Sequence, residues 1–133
     1  MTDERQAKEP VPAWVAERMA KRLKWQAERP AILADGEAAL RRLFDLAHSR
    51  EGDCKVVAAF LLGLYNGYRF PFDLSDFRLM DRELFEDCIA VMRMDQQLEQ
   101  EVHLYFPDGG AKFEKLATHW DIPDRRRNRG RED

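Results

Sequence analysis

Apolar residues recur along this chain at helical spacing in five stretches. In AWVAERMAKRLKWQAER, Val15, Met19 and Leu23 fall at i, i+4 and i+8 with Ala16, Ala20 and Ala27 beside them, and Pro12 suits a first helical turn. Trp14 and Trp25, eleven residues apart, return to within about 20° of each other on a neighbouring face. Arg29-Pro30 is expected to close this helix, because a residue before proline is pushed out of the helical region. A second helix is predicted from an N-cap at Asp35 through Leu40, Leu43, Phe44 and Ala47, ending at Gly52. Asp53 is expected to cap a third, CKVVAAFLLGLYN, which is apolar around most of its circumference and therefore central; Gly67 stops it. A fourth follows the cap Asp81, with Leu84, Phe85, Cys88, Ile89, Val91 and Met92 on one side and Glu83, Glu86, Asp87 and Asp95 outward. A fifth, AKFEKLATHW, aligns Phe113, Leu116, Ala117 and Trp120.

Two connectors are less regular. In NGYRFPFDLSDF (66–77), Phe70, Phe72, Leu74 and Phe77 are expected to fold under the bundle, with Pro71 holding Phe70 extended and Asp73 capping a short turn. VHLYF (102–106) is expected to be a short extended segment before the turn PDGG. The fold class is all-α: a small orthogonal or irregular bundle of about five helices with disordered termini. Its parts are a flexible leader (1–11), an amphipathic tryptophan-bearing helix (12–29), a helical core domain (31–121) and a disordered Arg-rich tail (122–133).

At 133 residues the chain suits one domain with an adequate core. Charged residues, at 35%, exceed the usual quarter and imply long solvated helix faces. The longest apolar run, VVAAFLLGLY, is too short to span a bilayer, and the charged start MTDERQAKEP does not resemble a signal peptide, so a cytoplasmic protein is expected. Cys54 and Cys88 lack metal-ligand or C-x-x-C spacing and read as small buried hydrophobes. Net charge, −3 overall, is unevenly spread. Residues 1–30 carry seven Lys/Arg against five Asp/Glu, residues 31–120 ten against sixteen, and residues 121–133 five against four. An acidic middle flanked by mildly basic ends is the reverse of a simple nucleic-acid binder, whose folded part is usually the basic one. The ends suit an anionic partner or the acidic face of a neighbouring copy.

Candidate chemistry is sparse. No G-x-S-x-G, H-E-x-x-H or phosphate-cradling glycine loop is present, and His48, His103 and His119 sit in separate elements. No catalytic residue, cofactor or metal is therefore assigned, and the protein is not expected to be an enzyme. The carboxylates Asp73, Asp76, Asp81, Glu83, Glu86 and Asp87 could hold a divalent cation. Caps and a solvated face near helix N-termini explain them better. Trp14, Arg18, Lys21, Arg22 and Trp25 form a candidate partner-binding face, against the plainer reading that the tryptophans dock this helix on the bundle. Arg125, Arg126, Arg127 and Arg129 are candidate phosphate contacts, against an inert tail. Phe70, Phe72, Asp73 and Phe77 are assigned a structural role. The alanine-rich helix is poorly suited to membrane insertion.

VVAAFLLGLYN (56–66) and FDLSDFRLMDRELFEDCIAVMR (72–93) carry a resemblance. From about residue 39 to 120 the chain resembles an uncharacterised domain family of small proteins from bacterial plasmids and integrative conjugative elements. That resemblance implies a fold and a mobile-element setting, and no activity. The resulting expectation is a protein-binding accessory or regulatory factor, with a nucleic-acid-binding accessory protein and an inhibitor of host defence as alternatives. A homodimer is left open.

Overall fold

A computed structural model describes residues 9–129, with side chains through Arg127. All regular structure among the described residues is helical: α1 (Ala13–Leu46), α2 (Cys54–Tyr65), a 3-10 turn at Leu74–Leu79, α3 (Arg82–Gln97), a 3-10 turn at Val102–Tyr105, α4 (Gly109–Trp120) and α5 (Arg125–Arg129). The chain divides into two compact units between Pro30 and Ala31.

In the second unit, α2 is central, as its all-round apolar surface predicts. Val57, Ala58, Leu61 and Leu62 are wholly inaccessible to solvent, and so are Ala39, Leu40 and Leu43 of α1, Cys88 and Val91 of α3, Val102, and Phe113 and Leu116 of α4. Each large side chain so buried contributes about 1.5–3 kcal/mol. Two glycines allow close approach. A methyl group at Gly36 would overlap the Met94 side chain, and one at Gly109 would overlap the His103 carbonyl. Burial pushes the Cys88 thiol up to about 12, so it is an inert core group as expected.

Several boundaries differ from the sequence expectation. Pro30 does not stop the first helix; it lies inside α1, and Asp35 is an interior residue rather than a cap. An interior proline costs about 3 kcal/mol. Beyond it the helix is fixed by burial of Gly36, Ala39, Leu40, Leu43 and Phe44. The proline marks where the units divide, not where the helix ends. α1 ends at Leu46, before Gly52, where the Trp120 indole N–H donates to the Ala47 carbonyl at 2.6 Å. Asp53 makes no side-chain cap; α2 starts instead from a turn in which the Cys54 N–H donates to Glu51 O at 3.0 Å. Residues 102–106 are not an extended segment: with no strand to pair with among the described residues, they wind into a 3-10 turn that buries Val102.

The connector 66–80 follows the expectation closely. Phe70 is 2% exposed, while Phe72 and Phe77 are half-buried with ring centroids 5.7 and 5.6 Å from Phe60. Asp73 caps its turn, accepting from Ser75 N at 2.9 Å and Ser75 Oγ at 2.8 Å, and these bonds hold its carboxyl below the usual range. Asp81 caps α3 through Leu84 N at 2.8 Å. Leu74 is the exception: it faces solvent instead of folding under the bundle, since it opens the turn.

The tail expected to be disordered from residue 122 is ordered over its described part. Ile122 packs on the core, Asp124 is buried, and α5 follows. The cause is Arg69. Its guanidinium donates to both oxygens of Glu114, at 2.6 and 2.8 Å, and to Asp124 Oδ2 at 2.8 and 3.2 Å, while its carbonyl accepts from Arg125 N at 2.8 Å. Its charged head also lies 4.7 Å from the Phe70 ring centroid, and Tyr65 donates its hydroxyl hydrogen to Glu114. The arginine holds the Glu114 carboxyl down to about 2 and lowers that of Asp124 as well. The expectations on residues 1–8 and 130–133 lie outside the described residues.

Both carboxylates have folded pKa values below their unfolded ones, so their stabilisation is complete above the ordinary value of 4.5 and is lost as pH falls toward 2. The melting temperature is expected to be flat near neutrality and to drop across that window. Arg69→Met should cost about 3 kcal/mol at pH 7 and flatten the acid limb; an unchanged acid limb would show that other groups govern it. Phe72→Ala should cost about 3 kcal/mol by denaturant unfolding, whereas Asp73→Asn keeps nearly all the stability, because asparagine caps about as well as aspartate.

Candidate partner-binding surfaces

At 100° per residue, Lys21, Trp14, Trp25, Arg18, Arg29 and Arg22 share one arc of about 100° on α1, and Glu17 and Glu28 lie outside it. The next arc carries Val15, Met19 and Leu23. Among the described residues of its own unit, α1 has no second element to bury these against. Trp14 and Trp25 are 62% and 60% exposed, and Met19 and Leu23 are 57% and 65%. Arg18, Lys21 and Arg22 are exposed around them. The five residues singled out from the sequence thus form one continuous aromatic and cationic face.

A second surface belongs to the unit from Ala31 onward. An open groove of about 850 Å³ runs between the end of α1, the 51–54 turn and the start of α3. Leu46, Cys54 and Leu84 are its apolar lining residues. Its walls carry Glu51, Asp53, Asp81, Glu83, Glu86 and Asp87 against two cations, Arg42 and Arg82. Arg42 is committed to Asp87 through a two-pronged contact, at 2.9 and 3.1 Å, and that bond raises its pKa. Asp81 is occupied by its cap, which leaves Glu51, Asp53, Glu83 and Glu86 exposed to solvent. Sequence reading grouped Asp73, Asp76, Asp81, Glu83, Glu86 and Asp87; the last four line this groove, Asp73 and Asp76 do not, and Glu51 and Asp53, which tertiary folding adds, were missed.

The cation site considered from sequence is not assembled. Asp73 serves its own turn and Asp87 serves Arg42. Among the described residues, Glu51, Asp53 and Cys54 can bring three ligand atoms within 4.8 Å of one another, a mixed set on an open turn and one donor short of a tetrahedral site. The three histidines do not meet this acidic cluster as a catalytic pair: His48 hydrogen-bonds the Phe44 carbonyl at 2.7 Å, His119 lies against Trp120, and His103 lies edge-on to Tyr65.

The candidate phosphate contacts are partly occupied. The Arg125 guanidinium lies 5.0 Å from the Tyr68 ring centroid, and Arg126 reaches Asp124 at 4.0 Å. Arg127 is exposed, and the side chain of Arg129 lies outside the described residues. Arg69, Glu114 and Asp124, which order this region, carried no local signal in the sequence.

A family profile matches residues 37–121, close to the span over which a resemblance was expected. No curated protein and no solved structure matches the chain at a significant level. The matched segment takes in more than half of the chain, from the buried face of α1 to the residue after α4, and the protein belongs to the family of unknown function DUF7673.

Proposed function

We propose that this protein works by binding another protein through the exposed face of α1, as an accessory or regulatory factor with no catalytic step of its own. One observation carries the reading: two tryptophans about 60% exposed on a single arc with four exposed or half-exposed cations. Tryptophan and arginine are the residues most enriched where binding energy concentrates, and leaving two indoles in water forfeits a large burial term. The setting we propose is a bacterial mobile element, on the resemblance carried by VVAAFLLGLYN and FDLSDF alone. Among the described residues no helix is long and apolar enough to cross a membrane, so the face is read as a protein-binding surface rather than part of a membrane span.

The same arc favours a second reading, because it carries no carboxylate: the indoles stack on bases while Arg18, Lys21, Arg22 and Arg29 meet phosphates. That reading expects affinity for single-stranded nucleic acid to fall by roughly one power of salt concentration per phosphate neutralised. No gel shift at low salt would remove it.

For the protein-binding reading, Trp14→Ala combined with Trp25→Ala should abolish capture of the partner in a pull-down from nuclease-treated lysate. The circular-dichroism melt should stay nearly unchanged. A fall in melting temperature as large as that of Phe60→Ala, a core truncation, would mean that the tryptophans serve the fold and would end this reading.

A further inference from the structure

We propose that the partner of the tryptophan face is a second copy of this chain, whose acidic groove beside α3 receives it. The inference rests on the reading of α1 as a protein-binding surface and adds the identity of the occupant. Charge is the first argument. Residues 13–30 carry five cations and two carboxylates, net +3, while the groove carries six carboxylates and two arginines, net −4.

Composition is the second argument. Each surface combines apolar and charged side chains of one sign in excess: Trp14 and Trp25 share their arc with cations, and Leu46, Cys54 and Leu84 line the groove together with carboxylates. Indoles against those apolar residues exclude water, while Arg18, Lys21 and Arg22 meet the exposed Glu83 and Glu86, where opposite charge selects register and speeds encounter.

Symmetry is the third argument. In a two-fold arrangement each copy's helix occupies its neighbour's groove. The contact then occurs twice and closes a two-fold dimer, and the second engagement is effectively intramolecular. The competing arrangement, in which two copies pair their Val15, Met19 and Leu23 faces, sets two helices of net +3 side by side.

Sedimentation velocity on the full chain tests this. Wild type should show a concentration-dependent monomer–dimer equilibrium whose dissociation constant rises about tenfold between about 0.05 M and 0.5 M salt. W14A/W25A and E83K/E86K alter only exposed side chains, which circular dichroism checks, and each should be monomeric alone. Mixing the two should restore a dimer weaker than wild type, held by one of the two contacts, because the first variant keeps an intact groove and the second an intact tryptophan face. A wild type that stays monomeric overturns the proposal. So does an E83K/E86K variant that dimerises like wild type, which would indicate helix-to-helix pairing, and so does a mixture that fails to dimerise. Monomeric wild type that still captures another protein would leave the protein-binding reading standing without this inference. Capture that survives in W14A/W25A would sink that reading instead.

Discussion

Arg69 is the constraint on which the order of the second unit turns. Burial of Leu61, Phe113 and their neighbours supplies most of the folding free energy, but apolar burial is non-directional and tolerates sliding. A buried guanidinium does not, because each donor left without a partner would cost as much as a broken hydrogen bond. Arg69 reaches Glu114 on α4 and Asp124 beyond it, and its own carbonyl takes Arg125 N–H. The end of α2, the face of α4 and the start of α5 are thereby held in one register. The aromatic connector follows from the same anchor, since Phe70 lies beneath the guanidinium and leads the chain to the Asp73 cap.

How much of this was legible in the sequence depends on range. Helices and core came from a period of 3.6 residues, and Leu40, Leu43, Phe113 and Leu116 are buried where that period puts them. The caps at Asp73 and Asp81 needed only neighbours two or three residues away. Pro30 misled because a local rule was weighed without the tertiary burial that carries the helix onward from Ala31. VHLYF was ambiguous between extended and helical backbone, and the close approach of Gly109 to His103 accompanies its 3-10 turn. Arg69 meets partners 45 and 55 positions away, a separation at which no spacing rule speaks, so the tail beyond Asp121 read as unpatterned charge.

The candidate surfaces divide in the same way. The tryptophan and cation face lies within one helix, so arithmetic on residue numbers was enough to find it. The groove joins the 51–54 turn to the start of α3, about thirty positions later, and appears only when both are folded. The family match begins at residue 37, after the tryptophan face, yet spans every residue of the groove. The matched segment therefore spans the positions that form the acidic surface and the Arg69–Glu114 pair in this chain, while Trp14 and Trp25 lie outside it. A binding function placed on α1 is consequently a property argued for this chain from its own residues, not one inherited with the fold.

The central claim is that the α1 face bearing Trp14, Met19, Leu23 and Trp25, side chains exposed among the described residues, is a binding surface and no part of the core. Native-state amide hydrogen exchange in dilute solution measures this most directly. The account predicts that amides of residues 17–28 exchange through local opening, orders of magnitude faster than those of Leu61, Leu62 and Leu116, whose exchange needs global unfolding. Protection of residues 17–28 equal to that of the core, independent of protein concentration, would contradict it.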